Sequence, residues 1–244
     1  MQLNVMSLNI PFGQIKETKK YEQYLGELIL RHNVDFIFLC ELLGEVGQVE
    51  RLAKISSFPY WGEIPSYPHN SPKLALGFLS QYEPSIFEKI PIFQAQKGWT
   101  NGFRVVLDNL NGGLPLNIYG AHFWTGDQCE KSIFDIVLKE FKRGNPRELQ
   151  VNEILNKIDE NPGSSLLIGD LNTFPYSRAY NLISLKLKDS CPLLKTFFGT
   201  YKHGGLPVRL DYIFYSPDII SQSYRSMPTN LSDHHVVFAE ITSQ

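Results

Sequence analysis

One short segment constrains the fold of this chain more than any other. The apolar run from Leu166 to Ile168 stops abruptly at Gly169, Asp170 and Asn172, and Phe174-Pro175 follows. This pattern predicts a buried strand and its exit. Because Asp170 and Asn172 are two residues apart, they point the same way at the carboxyl end of the strand, where open α/β sheets bind ligands. A carboxylate beside an amide suits a phosphate oxygen, a hard cation or an attacking water, although the same residues also form an ordinary turn signal.

Further polar side chains stand where other predicted strands begin or end. Three close an apolar run, one lies inside a β-rich segment, and two directly precede the last predicted strand. In chain order they are Asn9, Glu41, His122, Asp211, Asp233 and His234. All of these side chains are therefore expected to meet at one edge of the sheets.

The acidic members of this set predict a metal site. Glu41, Asp170, Asp211 and Asp233 would repel one another in a single cleft unless a cation compensated their charge. Hard oxygen ligands without thiolate partners favour magnesium, manganese or calcium over zinc. The sequence therefore predicts Mg²⁺ or Mn²⁺ held by one or two carboxylates, with waters and a substrate phosphate filling the other positions.

The order of these motifs resembles that of the endonuclease/exonuclease/phosphatase superfamily, from residue 3 to about residue 242. The matching motifs are Asn9, Glu41, His122, Gly169-Asp170-Leu171-Asn172, Arg209-Leu210-Asp211-Tyr212-Ile213 and Ser232-Asp233-His234. The superfamily includes deoxyribonuclease-type endonucleases, abasic-site repair enzymes, deadenylases, sphingomyelinases and inositol polyphosphate phosphatases. The resemblance implies an α/β fold, a four-layer α/β sandwich of two packed mixed β-sheets flanked by helices, in a single domain over residues 1–244.

The resemblance also implies roles for the residues near the metal. Glu41 is expected to be the primary metal ligand, with Asn9 and Asp170 close to the metal and the phosphate and Asp233 at the metal edge. Hydrolysis of a phosphate ester needs an in-line nucleophile and relief of negative charge on the transferred group. We therefore expect Asp170 to orient or deprotonate the water and Asn172 to hold a phosphoryl oxygen.

The two histidines are expected to contact the phosphate. His234 would act as a cation or as the acid/base, oriented by Asp211, since a carboxylate partner fixes the imidazole tautomer and raises its pKa. Neighbours on a strand point oppositely, so His235 is expected to be structural. His122 would donate to phosphate, although Lys73 occupies roughly the place of the carboxylate that partners this histidine in deoxyribonuclease-like members. Whether His234 or the water-orienting carboxylate removes the proton stays open.

Each of these residues also has a simpler structural interpretation. Asn9 alone suits a capping or turn amide, and Glu41 alone a solvated loop acid. Asp211 beside Arg209 suits a surface ion pair of small energetic value, and His122 a hydrogen-bonded core histidine. The ordered agreement of all the motifs favours the functional interpretation over these.

Composition fits one large α/β domain. The chain has 244 residues, of which 43% are hydrophobic, and this suffices for a sizeable core. A formal net charge of −2 excludes a general basic field for nonspecific nucleic-acid binding. Cys40, Cys129 and Cys191 are too few and too widely spaced for a disulfide framework or a zinc cluster, and Cys40 is expected in the core.

The expected location is cytoplasmic and the expected state a monomer. No signal peptide is visible and no apolar run reaches membrane-spanning length, although a signal peptide removed beforehand would leave the same sequence. Periodicity predicts strands at 3–10, 34–40, 73–79, 103–107, 116–121, 165–169, 210–215 and 235–242. It predicts helices at 18–31, 133–141, 149–158 and 177–185.

Aromatic and basic residues in the expected rim of the site favour a nuclease acting on DNA or RNA, because such mixtures stack bases and contact phosphate. They are Trp61, Tyr67, His69, Lys97, Trp99, Phe123, Trp124, Tyr201, Lys202, His203 and Arg209. A sugar or lipid headgroup would suit the same residues. The alternatives are therefore a phosphatase or phospholipid phosphodiesterase of the inositol phosphate or sphingomyelin type, and a catalytically idle binding scaffold.

Overall fold

The computed structural model describes residues 2–10, 18–43, 47–65, 74–94, 98–108, 115–123, 144–192, 199–203 and 206–243. The strands in these ranges are β1 (Gln2–Asn9), β2 (Phe36–Leu43), β3 (Tyr60–Pro65), β4 (Leu74–Ser80), β5 (Ile86–Gln94), β6 (Gly98–Leu107), β7 (Leu116–His122), β8 (Ser164–Asp170), β9 (Lys188–Asp189), β10 (Tyr201–His203), β11 (Leu206–Val208), β12 (Asp211–Tyr215), β13 (Ile219–Met227) and β14 (Val236–Ser243). The helices are α1 (Thr18–Leu30), α2 (Gln48–Ser56), α3 (Pro146–Glu160) and α4 (Arg178–Ser184).

The strands form two mixed sheets of six strands each. The first sheet has the order β13-β14-β1-β2-β4-β3 and the second β5-β6-β7-β8-β12-β9. Each sheet has one parallel pair at its centre, β1 with β2 and β7 with β8, and its other pairs are antiparallel. A hairpin of β10 and β11 stands apart from both sheets.

Three apolar clusters hold these layers together. The central cluster lies between the sheets and includes Phe36, Phe38 and Phe78 from the first sheet and Phe103 and Ile168 from the second. A second cluster joins the first sheet to α1 and α2, and a third joins the second sheet to α3 and α4. The arrangement is helix, sheet, sheet, helix, which confirms the four-layer α/β sandwich.

Both faces of the central strands are buried, so their side chains alternate between two apolar environments. In β1, Leu3 and Val5 face the second sheet, whereas Met6 and Leu8 face the helices. This explains why the sequence reads as a near-continuous apolar run rather than as an alternation. Cys40 lies in the central cluster, as predicted.

Several elements escaped the sequence analysis. They are α2, β3, β5 and β13, together with the short strands β9, β10 and β11. In β13 most side chains are exposed or half-buried because it is the edge strand of the first sheet. The predicted helix over 133–141 lies outside the described residues. In the part of the chain that the structure describes, no helix has the length and apolar character needed to span a membrane.

Candidate active site

The polar side chains predicted to act together lie at one end of the gap between the two sheets. Asn9 has the same parity in β1 as Leu3 and Val5, so its side chain points inward. In β8, Asp170 has the same parity as Leu166 and Ile168, whose side chains fill the central cluster. The same holds for the other two strands. His122 has the parity of Ile118 in β7 and Asp211 that of Ile213 in β12, so both side chains also point inward. The apolar alternation that builds the core therefore also aims the site residues at one another.

Glu41 reaches the same place by a different device. The strand was predicted to end at Cys40, but β2 continues to Leu43 and Glu41 lies inside it. The register between β2 and β4 shifts between Leu39 and Leu42, which marks a bulge, and Glu41 has a left-handed backbone with φ 56°. Leu39 and Leu42 both face the helices. The extra residue thus turns Glu41 to the inner face that Cys40 also occupies.

Gly169 allows β7 and β8 to approach at the point where the site forms. It pairs with Ala121, and the next pair in register is His122 with Asp170. Gly169 has φ 145°, and a Cβ at this position would lie 1.9 Å from the Ala121 carbonyl oxygen. Only glycine fits here, and it places the last residues of the two strands side by side.

A compact polar cluster results from these placements. The Asn9 Nδ2 donates to Asp170 Oδ2 at 3.0 Å and to Glu41 Oε1 at 3.2 Å. The His122 Nε2 lies 3.6 Å from Glu41 Oε1 and 3.7 Å from Asp170 Oδ2. Two carboxylates, an amide and an imidazole from both sheets therefore face one small volume.

This volume fits a divalent cation. One ligand atom from each of Glu41, His122 and Asp170 lies within 4.8 Å of the others, and Asp170 forms a second such group with Asp211 and His234. Within the described residues, Asn9 Oδ1 and His122 Nε2 are buried without a hydrogen-bond partner. Buried polar atoms are normally paired, so two unpaired ones beside two carboxylates indicate a place for a ligand. Oxygen donors with no thiolate suit Mg²⁺ or Mn²⁺.

His234 and Asp211 form a buried pair next to this cluster. The His234 Nδ1 lies 2.9 Å from Asp211 Oδ2, which can only accept, so Nδ1 carries a proton. The His234 Nε2 lies 3.9 Å from Asp170 Oδ2. Burial lowers the pKa of His234, but the charge and hydrogen bond of Asp211, with Asp170 and Asp233, outweigh burial and raise it to about 10. At neutral pH this histidine is a cation with Nε2–H directed toward the cluster.

Asp170 differs from an ordinary carboxylate. Burial and the charge of Asp211 raise its pKa to about 6, against the opposing effects of His234 and His122. Its Oδ1 accepts the backbone N–H of Asn172 at 3.0 Å, and the Asn172 Nδ2 donates to the Phe123 carbonyl at 3.0 Å. Asn172 has φ 46°. In the structure Asn172 thus holds the loop after β8 and orients Asp170.

Ser232, the first residue of the Ser232-Asp233-His234 motif, also contacts the site. Its hydroxyl donates to the Asn9 carbonyl at 2.6 Å and accepts the backbone N–H of His234 at 3.0 Å. It therefore ties the end of β1 to the histidine. A serine two residues before a functional histidine is a turn signal that could have indicated this contact. His235 is bonded elsewhere, with Nδ1 3.0 Å from Ser226 Oγ on β13, in agreement with its structural interpretation.

Some predicted residues are not in the cluster. Asp233 is exposed and belongs to neither group of metal-ligand atoms. Arg209 neither pairs with Asp211 nor reaches the rim: it is 2% exposed and binds Asp189 through two hydrogen bonds of 2.7 and 2.6 Å. The simpler interpretation of Asp211 as an ion-pair partner of Arg209 is therefore wrong.

The expected rim is also different from the prediction. Trp61 pairs with Leu79 at the end of the first sheet opposite to Glu41, because β3 runs antiparallel to β4. Phe123 is fully buried in the cluster under α3 and α4. Tyr201 does lie at the site, with its ring centroid 4.6 Å from that of His234. Lys73 and Cys129 lie outside the described residues. The structure also does not describe the side chains of the remaining predicted rim residues, Tyr67, His69, Lys97, Trp99, Trp124, Lys202 and His203.

The sequence profile of the endonuclease/exonuclease/phosphatase family matches residues 1–234. The chain belongs to this family. Members of the endonuclease/exonuclease/phosphatase family are typically phosphoesterases. A sequence comparison with curated proteins finds no match.

Solved structures share the fold of this endonuclease/exonuclease/phosphatase chain at low sequence identity. A conserved protein of unknown function from Enterococcus faecalis V583 is 15% identical with a TM-score of 0.76, covering 99% of this chain and 100% of its own. The human Nocturnin catalytic domain with bound sulfate is 19% identical with a TM-score of 0.74, covering 100% and 95%. A mannosyl-6-phosphatase from Bacteroides thetaiotaomicron is 15% identical with a TM-score of 0.71, covering 98% and 99%.

Proposed function

We propose that the protein is a divalent-metal-dependent phosphoesterase that hydrolyses phosphodiester bonds, with a nucleic acid as substrate. The observation that carries this proposal is the convergence of Asn9, Glu41, His122 and Asp170 beside the Asp211–His234 pair. A metal-ligand set, a poised carboxylate and a cationic imidazole within one small volume are the parts that hydrolysis of a phosphate ester requires.

Glu41, Asn9 and Asp170 would hold Mg²⁺ or Mn²⁺. Such an ion, when bound, supplies charge neutralisation at the phosphoryl oxygens. The unpaired Asn9 Oδ1 supports this assignment, because it stands next to Glu41 and Asp170 without a donor among the described residues. His122 would donate Nε2–H to a phosphoryl oxygen. Asn172, whose backbone N–H donates to Asp170 Oδ1, would lie next to the phosphate.

Hydrogen bonding and position support separate roles for Asp170 and His234. The Asp170 Oδ2 lies 3.0 Å from Asn9 Nδ2 and 3.9 Å from His234 Nε2, between the expected metal ligands and the imidazole, so we assign it the attacking water. With a pKa of about 10, His234 holds its proton, so we assign it charge stabilisation at the phosphate and proton donation to the leaving oxygen. Asp211 fixes the orientation of the His234 ring by accepting the hydrogen bond from Nδ1–H.

Two observations support a nucleic acid as the substrate. Tyr201 is an aromatic side chain at the site, and stacking of a base on such a ring is sequence-tolerant. The structure of the human Nocturnin catalytic domain, which has the same fold, contains a bound sulfate anion, and this is compatible with phosphate recognition at this fold. A phosphatase is the second candidate, because a mannosyl-6-phosphatase has the same fold and because Trp61 and Arg209 do not line the site.

The test is hydrolysis by purified protein of single- and double-stranded DNA, RNA, a simple phosphodiester, a simple phosphomonoester, inositol phosphates and sphingomyelin. Each is assayed with Mg²⁺, with Mn²⁺ and with EDTA, and Asp170→Asn serves as the matched inactive control. We expect metal-dependent cleavage of nucleic acid that the control lacks. Cleavage of monoesters alone would establish the phosphatase instead, and wild-type protein without activity on every substrate would support the idle scaffold.

A further inference from the structure

Thr200 contacts the backbone on both sides of the Asp211–His234 pair. Its Oγ1 accepts the N–H of Leu210 at 3.0 Å and the N–H of Asp211 at 3.1 Å. Its carbonyl accepts the N–H of His235, the neighbour of the functional histidine, at 2.6 Å. Thr200 is fully buried. Thr200 therefore contacts the start of β12 through its side chain and the residue before β14 through its backbone carbonyl.

The next residue covers the imidazole. The Tyr201 ring centroid lies 4.6 Å from that of His234, with 34° between the ring planes. The backbones of these two residues also form an isolated antiparallel bridge. Thr200 is itself anchored, because its N–H donates to the Val208 carbonyl at 2.8 Å. The ring thus limits rotation of His234 about its side-chain bonds on the face that it covers.

These contacts matter because the pair spans two sheets. Asp211 begins β12 of the second sheet, and His234 lies two residues before the start of β14 of the first sheet. A small sliding of one sheet against the other would lengthen the 2.9 Å contact between Asp211 Oδ2 and His234 Nδ1. We propose that Thr200 and Tyr201 are positioning residues that hold the Asp211–His234 pair in register across the two sheets. This inference rests on the proposed function.

Thr200→Val is the main test, because valine keeps the shape of threonine and removes the acceptor of two buried N–H groups. We expect kcat to fall by about 10- to 100-fold, as for other residues that orient a functional side chain, with KM little changed. Thr200→Ser restores the hydroxyl and is expected to restore kcat. Ser216→Ala is the matched control, since the Ser216 hydroxyl accepts the Ser165 N–H at 2.9 Å at the opposite end of β8 and β12.

A positioning role predicts that the loss depends on the pair. In an Asp211→Asn background, Thr200→Val should lower kcat by much less than in the wild-type background, because the oriented contact is already gone. An equal loss in both backgrounds, or a loss in Ser216→Ala as large as in Thr200→Val, would show a merely structural contact and overturn the inference.

Spectroscopy tests the inference whether or not the proposed activity is found. The His234 Nδ1 proton held by Asp211 should give a low-field proton resonance that is absent in His234→Ala. We expect Thr200→Val and Tyr201→Leu to shift or broaden this resonance and Ser216→Ala to preserve it. Tyr201 is only partly buried, so Tyr201→Leu keeps the test valid if Thr200→Val fails to fold. An unchanged resonance in Tyr201→Leu and in folded Thr200→Val would overturn the inference, whereas an inactive wild-type protein would overturn only the proposed function.

Discussion

The two sheets contribute to the site in different ways. The first sheet supplies Asn9, a neutral amide, and Glu41, whose side chain is 25% exposed and whose strained backbone lies at a bulge. The second sheet supplies His122 and Asp170, each with a 2% exposed side chain. In the first half Asn9 is buried and Glu41 reaches solvent, so Glu41 suits a ligand that exchanges with solvent. The second half is desolvated and suits proton transfer.

The largest effect is expected at Asp170 in the second half. Asp170→Asn should lower kcat by about 10²- to 10⁴-fold, because an amide cannot take up the proton of the attacking water. The free energy of unfolding of the metal-free protein should stay the same or rise, since the change removes a charge that burial and Asp211 disfavour. Single-turnover kinetics and denaturant unfolding in EDTA measure the two quantities. A change in KM alone, or a loss of stability, would contradict the division between the halves.

The Asp211–His234 pair joins the halves and is expected to behave as a unit. His234→Ala and Asp211→Asn should each lower kcat by about 10²-fold or more, and the double variant should lose little beyond the worse single one. The measurement is a double-mutant cycle on kcat/KM at saturating metal. Fully additive losses would mean that the two residues act independently.

Gly169 tests how the second half is built. Gly169→Ala should lower the free energy of unfolding by about 3 kcal/mol or more, because the new Cβ would meet the Ala121 carbonyl as well as a disfavoured φ. Gly144→Ala is the control, since Gly144 has φ 78° but no atom within 4 Å of its Cβ position, and about 1 kcal/mol is expected there. Equal losses in denaturant unfolding would show that φ alone, and not the close approach of β7 and β8, requires glycine.

The smallest effect is expected at Glu41 in the first half. Glu41→Gln keeps the shape of the side chain but removes the charge that would anchor the cation. Little hydrolysis should remain at low metal concentration, and the metal concentration for half-maximal activity should rise by about 10- to 100-fold. The free energy of unfolding should be unchanged. Glu88→Gln is the control, because Glu88 pairs with Arg104 away from the site. Wild-type metal dependence in Glu41→Gln would remove Glu41 from the metal site.

The sequence was sufficient where a polar residue ended an apolar run. Asn9, His122 and Asp170 could be placed at one edge because parity and the direction of central strands follow from local pattern. Glu41 was expected directly after a strand that ended at Cys40, but it lies inside β2, since a bulge adds one residue without any change in composition. The helices α1 and α3 were predicted because their periodicity spans several turns.

Long-range pairing could not be predicted from local pattern. Arg209 appeared to be a candidate rim cation, yet it is neutralised by Asp189, 20 positions away in sequence. Trp61 was placed at the wrong end because β3 was not predicted, and the direction of that strand decides which end of the sheet its residues occupy. Thr200 gave no signal, because its role depends on two strands that meet only in the folded chain.

The Ser232 hydroxyl and the Asn9 carbonyl, 223 positions apart in the chain, have a consequence for synthesis on the ribosome. A nascent chain that has emerged through β8 already carries Asn9, Glu41, His122 and Asp170, but it lacks β14, the antiparallel neighbour of β1. The first sheet cannot close and His234 cannot reach Asp211 until that strand is released. The cluster at the end of the two sheets is therefore completed late in synthesis, because the pairing of β1 with β14 and the contact of Asp211 with His234 both wait for the strand that follows His234.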